Sequence, residues 1–532
     1  MRIALLIFLL CFHASAAQWY VRTDGSDSNT GSADSAGGAK LTLDGALSIG
    51  TLAGGDTINV GAGTFTGTSN TDVDGSAGNP ILIVGQGTNS TIINGKITFD
   101  KSFYTLRSMS LRGVLVEAPQ HDIIVEFCEL KKALDILKFS SGSSNCIART
   151  NHFSHARENS MFDVGGAYHL IEGNTFVYNN GNDVHRINNL EDTIFRGNFY
   201  NDIRSSPSEP TTSTTSVTIG TGTKVFTVAS STLTNYWVDQ FVNVTSAANA
   251  ANEMTGWVVS YSGTTLTLDV ITTGGSGTFA DWNINTDSAG NHADIWQYFD
   301  SSGVTPGSWF TRRIIWERNL IKGSSCQIAN GSADNLSTNF HDHIFRGNVI
   351  WNNRLYWNSS ASNMWVYNNT VYSAESTTTG FLNATPRVDE VGGSLYVFNN
   401  IFCRIGGSES AGVYAIGGGG GSGDYNFISD FSDDSAKTGY SEANGINGGY
   451  TPSQIFTDPT TGNFEPILAG LANGTNLFSS VGSVTLYDGT VLGAGGSWPM
   501  GAFSSDGGGG GTGLAVRAIV APGGPRKFGG GF

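Results

Sequence analysis

The chain has 532 residues and a formal charge of −16, with 28 Lys and Arg against 44 Asp and Glu. That balance argues against nucleic acid or an anionic membrane surface as partner, while leaving room for a local basic strip on an acidic polymer. Glycine is abundant (72 residues) but has no three-residue period, which excludes collagen, and 39% apolar residues exclude wholesale disorder. A long all-β chain with many turns is expected.

The chain opens "MRIALLIFLLCFHASAAQ", where Arg2 precedes an apolar run and Ala14, Ser15 and Ala16 follow. The pattern predicts a secretory signal peptide over residues 1–17, cleaved after Ala16 or Ala17. No later run is long and apolar enough to span a membrane. An exported chain without membrane insertion is therefore expected, secreted or held at the cell surface. Beyond the leader lie Cys128, Cys146, Cys326 and Cys403, too sparse for a disulfide scaffold and without metal-site spacing.

Between residues 145 and 405 one phrase returns: "ARTNHF", "IEGNTF", "FRGNFY", "WERNLI", "FRGNVI", "VYNNTV" and "VFNNIF". Its asparagines are Asn151, Asn174, Asn198, Asn319, Asn348, Asn369 and Asn400. The first two steps are 23 and 24 residues, whereas the step from Asn198 to Asn319 is far longer and must hold an insertion. Repeats of this length mean a solenoid, and short alternating strands without helical period make it a β solenoid. Each asparagine fits a turn in which it takes left-handed φ and bonds its own backbone. Stacked rung on rung, the seven would form one ladder.

With these phrases in place, the chain resembles the right-handed parallel β-helix superfamily of pectate-lyase-like proteins. The opening "WYVRTDGSDSNTGS", "GGDTINVGAGTFTG" and "GNPILIVGQGTNSTIING" is similar to the first turns of that fold in secreted β-helix proteins and polysaccharide lyases. Residues 41–52, "LTLDGALSIGTL", would then supply a short amphipathic cap over the first rung. The close, "TGNFEPILAGLANGTNL" and "WPMGAF", resembles segments that end such helices. The resemblance implies a right-handed parallel β-helix over residues 18–207 and 286–505. It does not choose a reaction, because the superfamily holds lyases, hydrolases, epimerases, adhesins and tailspikes.

Residues 208–285 break the repeat with denser Thr and Val strands and hairpin-like turns at "GTGT" and "SGTT". They predict a small antiparallel β module set into one rung. Its phrases "SVTIGTG", "VVSYSGTTLTL" and "GSGTFADWNI" resemble a module of phage tail fibres and tailspikes. That likeness implies a virion-associated protein if the chain is phage-encoded, and a homotrimer as one assembly, although no coiled-coil heptads occur. Residues 506–532, with "DGGGGGTG" and "APGGPRKFGGGF", read as a flexible glycine-rich tail.

Aligned on the asparagine turns, the strands that follow read "LDILKF", "NSMFDV", "NDVHRI", "HADIWQ", "SSCQIA" and "RLYWNS". Strict alternation with Met161, Val184, Ile295, Cys326 and Tyr356 inward puts Phe162, His185, Trp296, Gln327 and Trp357 in one outward column. Ser160, Asp183, Asp294 and Ser325 lie one step before it. Rungs are about 4.8 Å apart, so Asp183 and Asp294 would face each other at about 5 Å. Such a pair suits a retaining glycosidase, with one pKa raised by the like charge beside it. For a lyase, His185 or His292 would serve as base, and Arg186 or Lys138 would neutralise the uronate. Trp296 and Trp357 would stack on sugar rings, and Phe162, Asp163, Gln297, Gln327 and Lys138 complete the substrate-binding set. Structural readings stand beside these: turn-capping for the aspartates, and packing beneath the insert for the tryptophans. No cofactor is expected; bridging calcium is an open option because oxygen-rich clusters suit it, although nothing is spaced like a known calcium loop.

Three functions fit this sequence. The first is a secreted polysaccharide lyase or glycoside hydrolase acting on a bacterial or algal glycan. The second is a non-catalytic glycan-binding adhesin or phage receptor-binding protein, and the third a purely structural surface protein. Acids and bases converging in the groove would mark the enzyme; aromatics and amides alone would mark the adhesin.

Overall fold

The computed structural model describes residues 16–504 except 134, 157–159, 178–182, 202–209, 230–235, 237, 287–293, 299–309, 323–326, 332–339, 352–355, 359–362, 374–386, 390–393, 405–420 and 431–441. All but the last two residues of the expected signal peptide, and the whole of the glycine-rich tail at 506–532, lie outside the described residues. No helix among the described residues is long and apolar enough to cross a membrane.

One period defines the architecture. Strands Ile123–Glu126, Glu129–Lys131 and Asp135–Phe139 follow one another before Ile147–Arg149 opens the next turn of the coil. Ile147 pairs in parallel with Ile124 on one side and Leu170 on the other, and thirteen such strands form one continuous sheet. The second and third strands of each rung pair with their counterparts in the same way, as in Glu129 with His152 and Asp135 with Ser160. Parallel strands joined by such short connections can only coil, and the molecule is a right-handed parallel β-helix. The sheet begins earlier than the repeat suggests, with Gln18–Val21 paired to Thr57–Val60. A helix at Leu43–Leu47 caps this end: the Thr42 hydroxyl accepts from the Gly45 N–H at 2.9 Å, and Leu43, Ala46 and Leu47 are buried.

The asparagines stack as expected. Each side-chain N–H donates to the carbonyl of the next, from Asn151 through Asn174, Asn198, Asn319, Asn348 and Asn369 to Asn400, at 2.9–3.1 Å. Asn198 and Asn319 are rung neighbours although 121 residues separate them. The ladder continues to Asn426 and ends on Glu442, whose carboxylate accepts the last backbone and side-chain N–H groups, both at 2.9 Å. The expected conformation of these asparagines needs correction. Left-handed φ belongs to the residue before each one, as at Thr150, Gly173, Gly197 and Arg318. The asparagine itself must point inward, where it also donates to a carbonyl one rung away, such as Asn174 to Ala148 at 2.8 Å. The glycines of "EGN" and "RGN" take the strained position at no steric cost.

A second ladder runs two residues before the first. Arg107, Glu126, Arg149, Glu172, Arg196, Glu317 and Arg346 occupy successive rungs, alternating in sign. Arg149 Nε donates to Glu126 at 2.7 Å, Arg196 Nε to Glu172 at 2.8 Å, and Arg346 Nε to Glu317 at 2.9 Å. Like charges directly opposite in a sheet repel, so alternation is what lets a charged column stack at this spacing.

The insertion forms a six-stranded antiparallel sheet with its own apolar core, including Phe226, Val242, Val244, Leu268 and Trp282. Its described strands lie between Thr211 and Thr286. Phe241 and Trp257 stand outside that core, with rings 4.8 Å apart and both buried. They mark the docking face: the Lys132 ammonium of the β-helix pairs with Asp239 and lies 5.7 Å from the Trp257 ring. Burial is the main influence on Lys132 and lowers its pKa, with Asp239 opposing the shift. Lys132 and His155 are the left-handed turn residues just ahead of the third strand, so the module docks at that strand's edge.

Candidate functional site

The candidate site lies on the third strands. The expected neighbours Asp183 and Asp294 are directly paired across adjacent rungs, with His185 opposite Trp296 and Arg186 opposite Gln297. The alternation assumed from sequence fails between them. Val184 and His185 are both fully buried, as are Met161 with Phe162 and Ile295 with Trp296. Two successive inward side chains require the strand to bend there, and everything after the bend changes face relative to a straight strand.

Three expected site residues therefore move into the core. Phe162 packs edge-on against Phe139 at 4.9 Å. Trp296 sits among Tyr200, Trp316 and Phe345, with ring centroids 5.3–5.9 Å away, and offers no stacking surface to a sugar. His185 is enclosed by Phe176, Phe195 and Tyr200, and its Nε2 lies 3.0 Å from the Tyr200 hydroxyl. Burial pushes its pKa down to about 3, so it is neutral and shielded, which removes it as a base. Gln327 also shifts: it aligns with Asp294, whereas Ala329 aligns with Trp296 and Trp357 follows Ala329. The side chains of Asp294, Gln327 and Trp357, and all of His292, lie outside the described residues.

What the bend brings outward is polar. Lys138, Asp163, Arg186 and Gln297 occupy one register position on four consecutive rungs, continued by Asn330 and Asn358. At about 4.8 Å per rung the sequence of charges is plus, minus, plus, then amides. Asp163 is 4% exposed and accepts from Lys138 Nζ at 3.0 Å and from Asn188 Nδ2 at 3.0 Å. Asn188 is a functional candidate missed from sequence, although it shares the outward parity of Arg186 two residues earlier. Asp183 is 3% exposed. The Gln297 amide, oriented with its nitrogen toward that carboxylate, donates to both oxygens, 3.0 Å to Oδ1. Gln297 stands three residues along from Asp294, the rung partner of Asp183. Such a reach needs the outer faces on either side of the bend to approach each other, which makes the outer surface concave there. The docked module stands at the edge of this groove.

The arrangement presents Lys138 and Arg186 to an anionic polymer on either side of the Asp163 carboxylate, which is itself paired with Lys138. Among the described residues no group of three or more His, Cys, Asp or Glu side chains could hold a metal ion.

Fold and site thus define a parallel β-helix with a charged groove flanked by an inserted antiparallel module. No protein-family model matches the sequence, and no curated protein does. Solved structures are similar in fold. Pectate lyase Pel9A is 13% identical, with 92% of this chain and 97% of that one covered at a TM-score of 0.41. The A-module of the mannuronan C-5 epimerase AlgE6 of Azotobacter vinelandii is 10% identical, covering 74% and 90% at 0.40. A PL6 family polysaccharide lyase of Pseudopedobacter saltans is 11% identical, covering 81% and 91% at 0.37. Overlap at this level says nothing about reaction or site residues.

Proposed function

We propose that this protein acts on an anionic polysaccharide, held along the third-strand groove and cleaved there. The observation that carries this is the column Lys138–Asp163–Arg186–Gln297, in which two cations flank a buried carboxylate one rung apart. Separate uronates of one polymer would lay their carboxylates against Arg186 and Lys138, and the contact with Arg186 would lower the cost of drawing a proton from the adjacent carbon. Asp183, which the Gln297 amide holds, would take that proton. The chemistry fitting these groups is β-elimination: as the proton passes to Asp183 a C4–C5 double bond forms, the C4–O bond breaks, and the departing glycosidic oxygen takes a proton from water. A second reading is supported by the direct backbone pairing of Asp183 with Asp294 on adjacent rungs, about 4.8 Å apart, the order of separation that a retaining glycoside hydrolase needs between its two carboxyls. Export of the chain, inferred from its opening residues, suits an extracellular polymer.

The test is digestion of a panel of uronate polymers, read in parallel by ultraviolet absorbance of unsaturated ends and by reducing ends. Elimination raises both signals and hydrolysis the second alone. Binding with neither signal would leave a non-catalytic glycan-binding protein.

A further inference from the structure

The inserted module carries a depression of its own, about 420 Å³, lined by Pro210, Thr212, Asn243, Thr245, Asn283 and Asn285 among others. Strand parity places it. Val242 and Val244 enter the module's core, so Asn243 and Thr245 point to the opposite face, which is the face of Phe241. Phe241 and its cross-strand partner Trp257 belong to the docking patch, and the depression is therefore on the side of the module that meets the β-helix. It also lies at the module's root, since Pro210 immediately precedes the first strand and Asn285 is the penultimate residue of the last.

Side-chain amides and hydroxyls stand in rows on this face. Asn285, Asn243, Thr255 and Thr272 are direct cross-strand neighbours in one row, and Thr212, Asn283 and Thr245 in the next. The described residues lining the depression carry no charge. Asn243 Oδ1 and Thr255 Oγ1 are buried without a hydrogen-bond partner among the described residues. A buried polar atom without a partner is costly, and these two lie side by side on the face where the depression opens.

We propose that this face binds neutral saccharide units through their hydroxyls. Side-chain amides offer a donor and an acceptor at the spacing of vicinal hydroxyls, and threonine hydroxyls do both singly. An anionic sugar finds no cation in the described lining, in contrast to the Lys138–Arg186 groove. The site is separate from that groove in chemistry, and its binding requires no cleavage.

The experiment is affinity electrophoresis of the full chain through gels containing galactomannan, xyloglucan, mixed-linkage β-glucan, starch or dextran, with polygalacturonate in a parallel gel. Retardation by at least one neutral polymer is expected. Asn243→Ala and Asn283→Ala should each weaken it about tenfold, while mobility in polygalacturonate stays as in the wild type. Thr245→Arg, at a partly exposed position, tests the same face without emptying it and should also abolish retardation. Wild-type chain that passes every neutral gel unretarded overturns the proposal. Retardation that survives in all three variants overturns it equally, by placing the neutral-sugar site elsewhere.

Discussion

Truncating Trp296 to alanine separates a core position from a sugar platform. The side chain is fully buried and meets three aromatic rings: Trp316 at 5.3 Å, Tyr200 at 5.8 Å and Phe345 at 5.9 Å. Removing a buried tryptophan costs about 3–5 kcal/mol in transfer and cavity terms. The edge-to-face contacts with Tyr200 and Phe345 and the tilted one with Trp316 add about 0.5–1.5 kcal/mol each, part of which is already counted in that range. Trp296 lies on the first rung after the insertion, where the Asn198–Asn319 step must close. Solenoid stability is a sum over neighbouring rungs, so the loss should fall on this junction and open it early. The assay is guanidinium denaturation followed by far-UV circular dichroism, which does not depend on the deleted fluorophore. Trp296→Ala should lose about 4 kcal/mol and Trp296→Phe clearly less. Unchanged stability in Trp296→Ala, together with weaker glycan binding, would refute the reasoning and return the side chain to the surface.

Two further outcomes follow from buried charge. His155, His169, His185 and His343 are nearly or wholly enclosed, and burial holds their pKa values down at about 4, 4, 3 and 3. Their unfolded values lie near 6.5, so below that pH the unfolded chain takes up protons that the folded one refuses, and stability falls with acidification from about pH 6.5 to about 4. Four such groups give a slope approaching about 5 kcal/mol per pH unit, measurable as denaturation midpoints at pH 7, 6 and 5; His185→Phe should remove about a quarter of it. In the ion-pair ladder, Glu126 has 1% side-chain exposure and Glu172 has 36%. Glu126→Gln, which leaves Arg107 and Arg149 without their shared partner, should cost about 2–3 kcal/mol, and Glu172→Gln less than about 1, by the same denaturation assay. Equal losses would mean that burial does not set the strength of these pairs.

Much of the fold was legible because its signals are repeated. The asparagine phrase carried the coil and the rung order, and the long step after Asn198 revealed the insertion. The direct pairing of Asp183 with Asp294 followed from counting residues after each turn. Which way the side chains point did not follow, because one bend between Val184 and His185 reverses the parity that alternation extrapolates. "NDVHRI" contains no glycine or proline to mark that bend. The Arg–Glu ladder was in plain view, since "ARTN", "IEGN", "FRGN" and "WERN" alternate in sign two residues before the asparagine. Only pairing between rungs gives that alternation meaning. The docking of Trp257 and Phe241 was hidden for another reason: on a Val- and Thr-rich strand, an aromatic on the outer face looks the same whether it meets solvent or another surface.

The central claim is that the groove of Lys138, Asp183 and Arg186 cleaves an anionic glycan. The measurement that tests it most directly is the initial rate of product formation from the best uronate polymer by wild type and by Asp183→Asn at matched stability. Turnover by the wild type is expected, with a loss of at least about a hundredfold in the variant and polymer binding retained. Full turnover by Asp183→Asn, or no cleavage of any uronate polymer by the wild type, would contradict it.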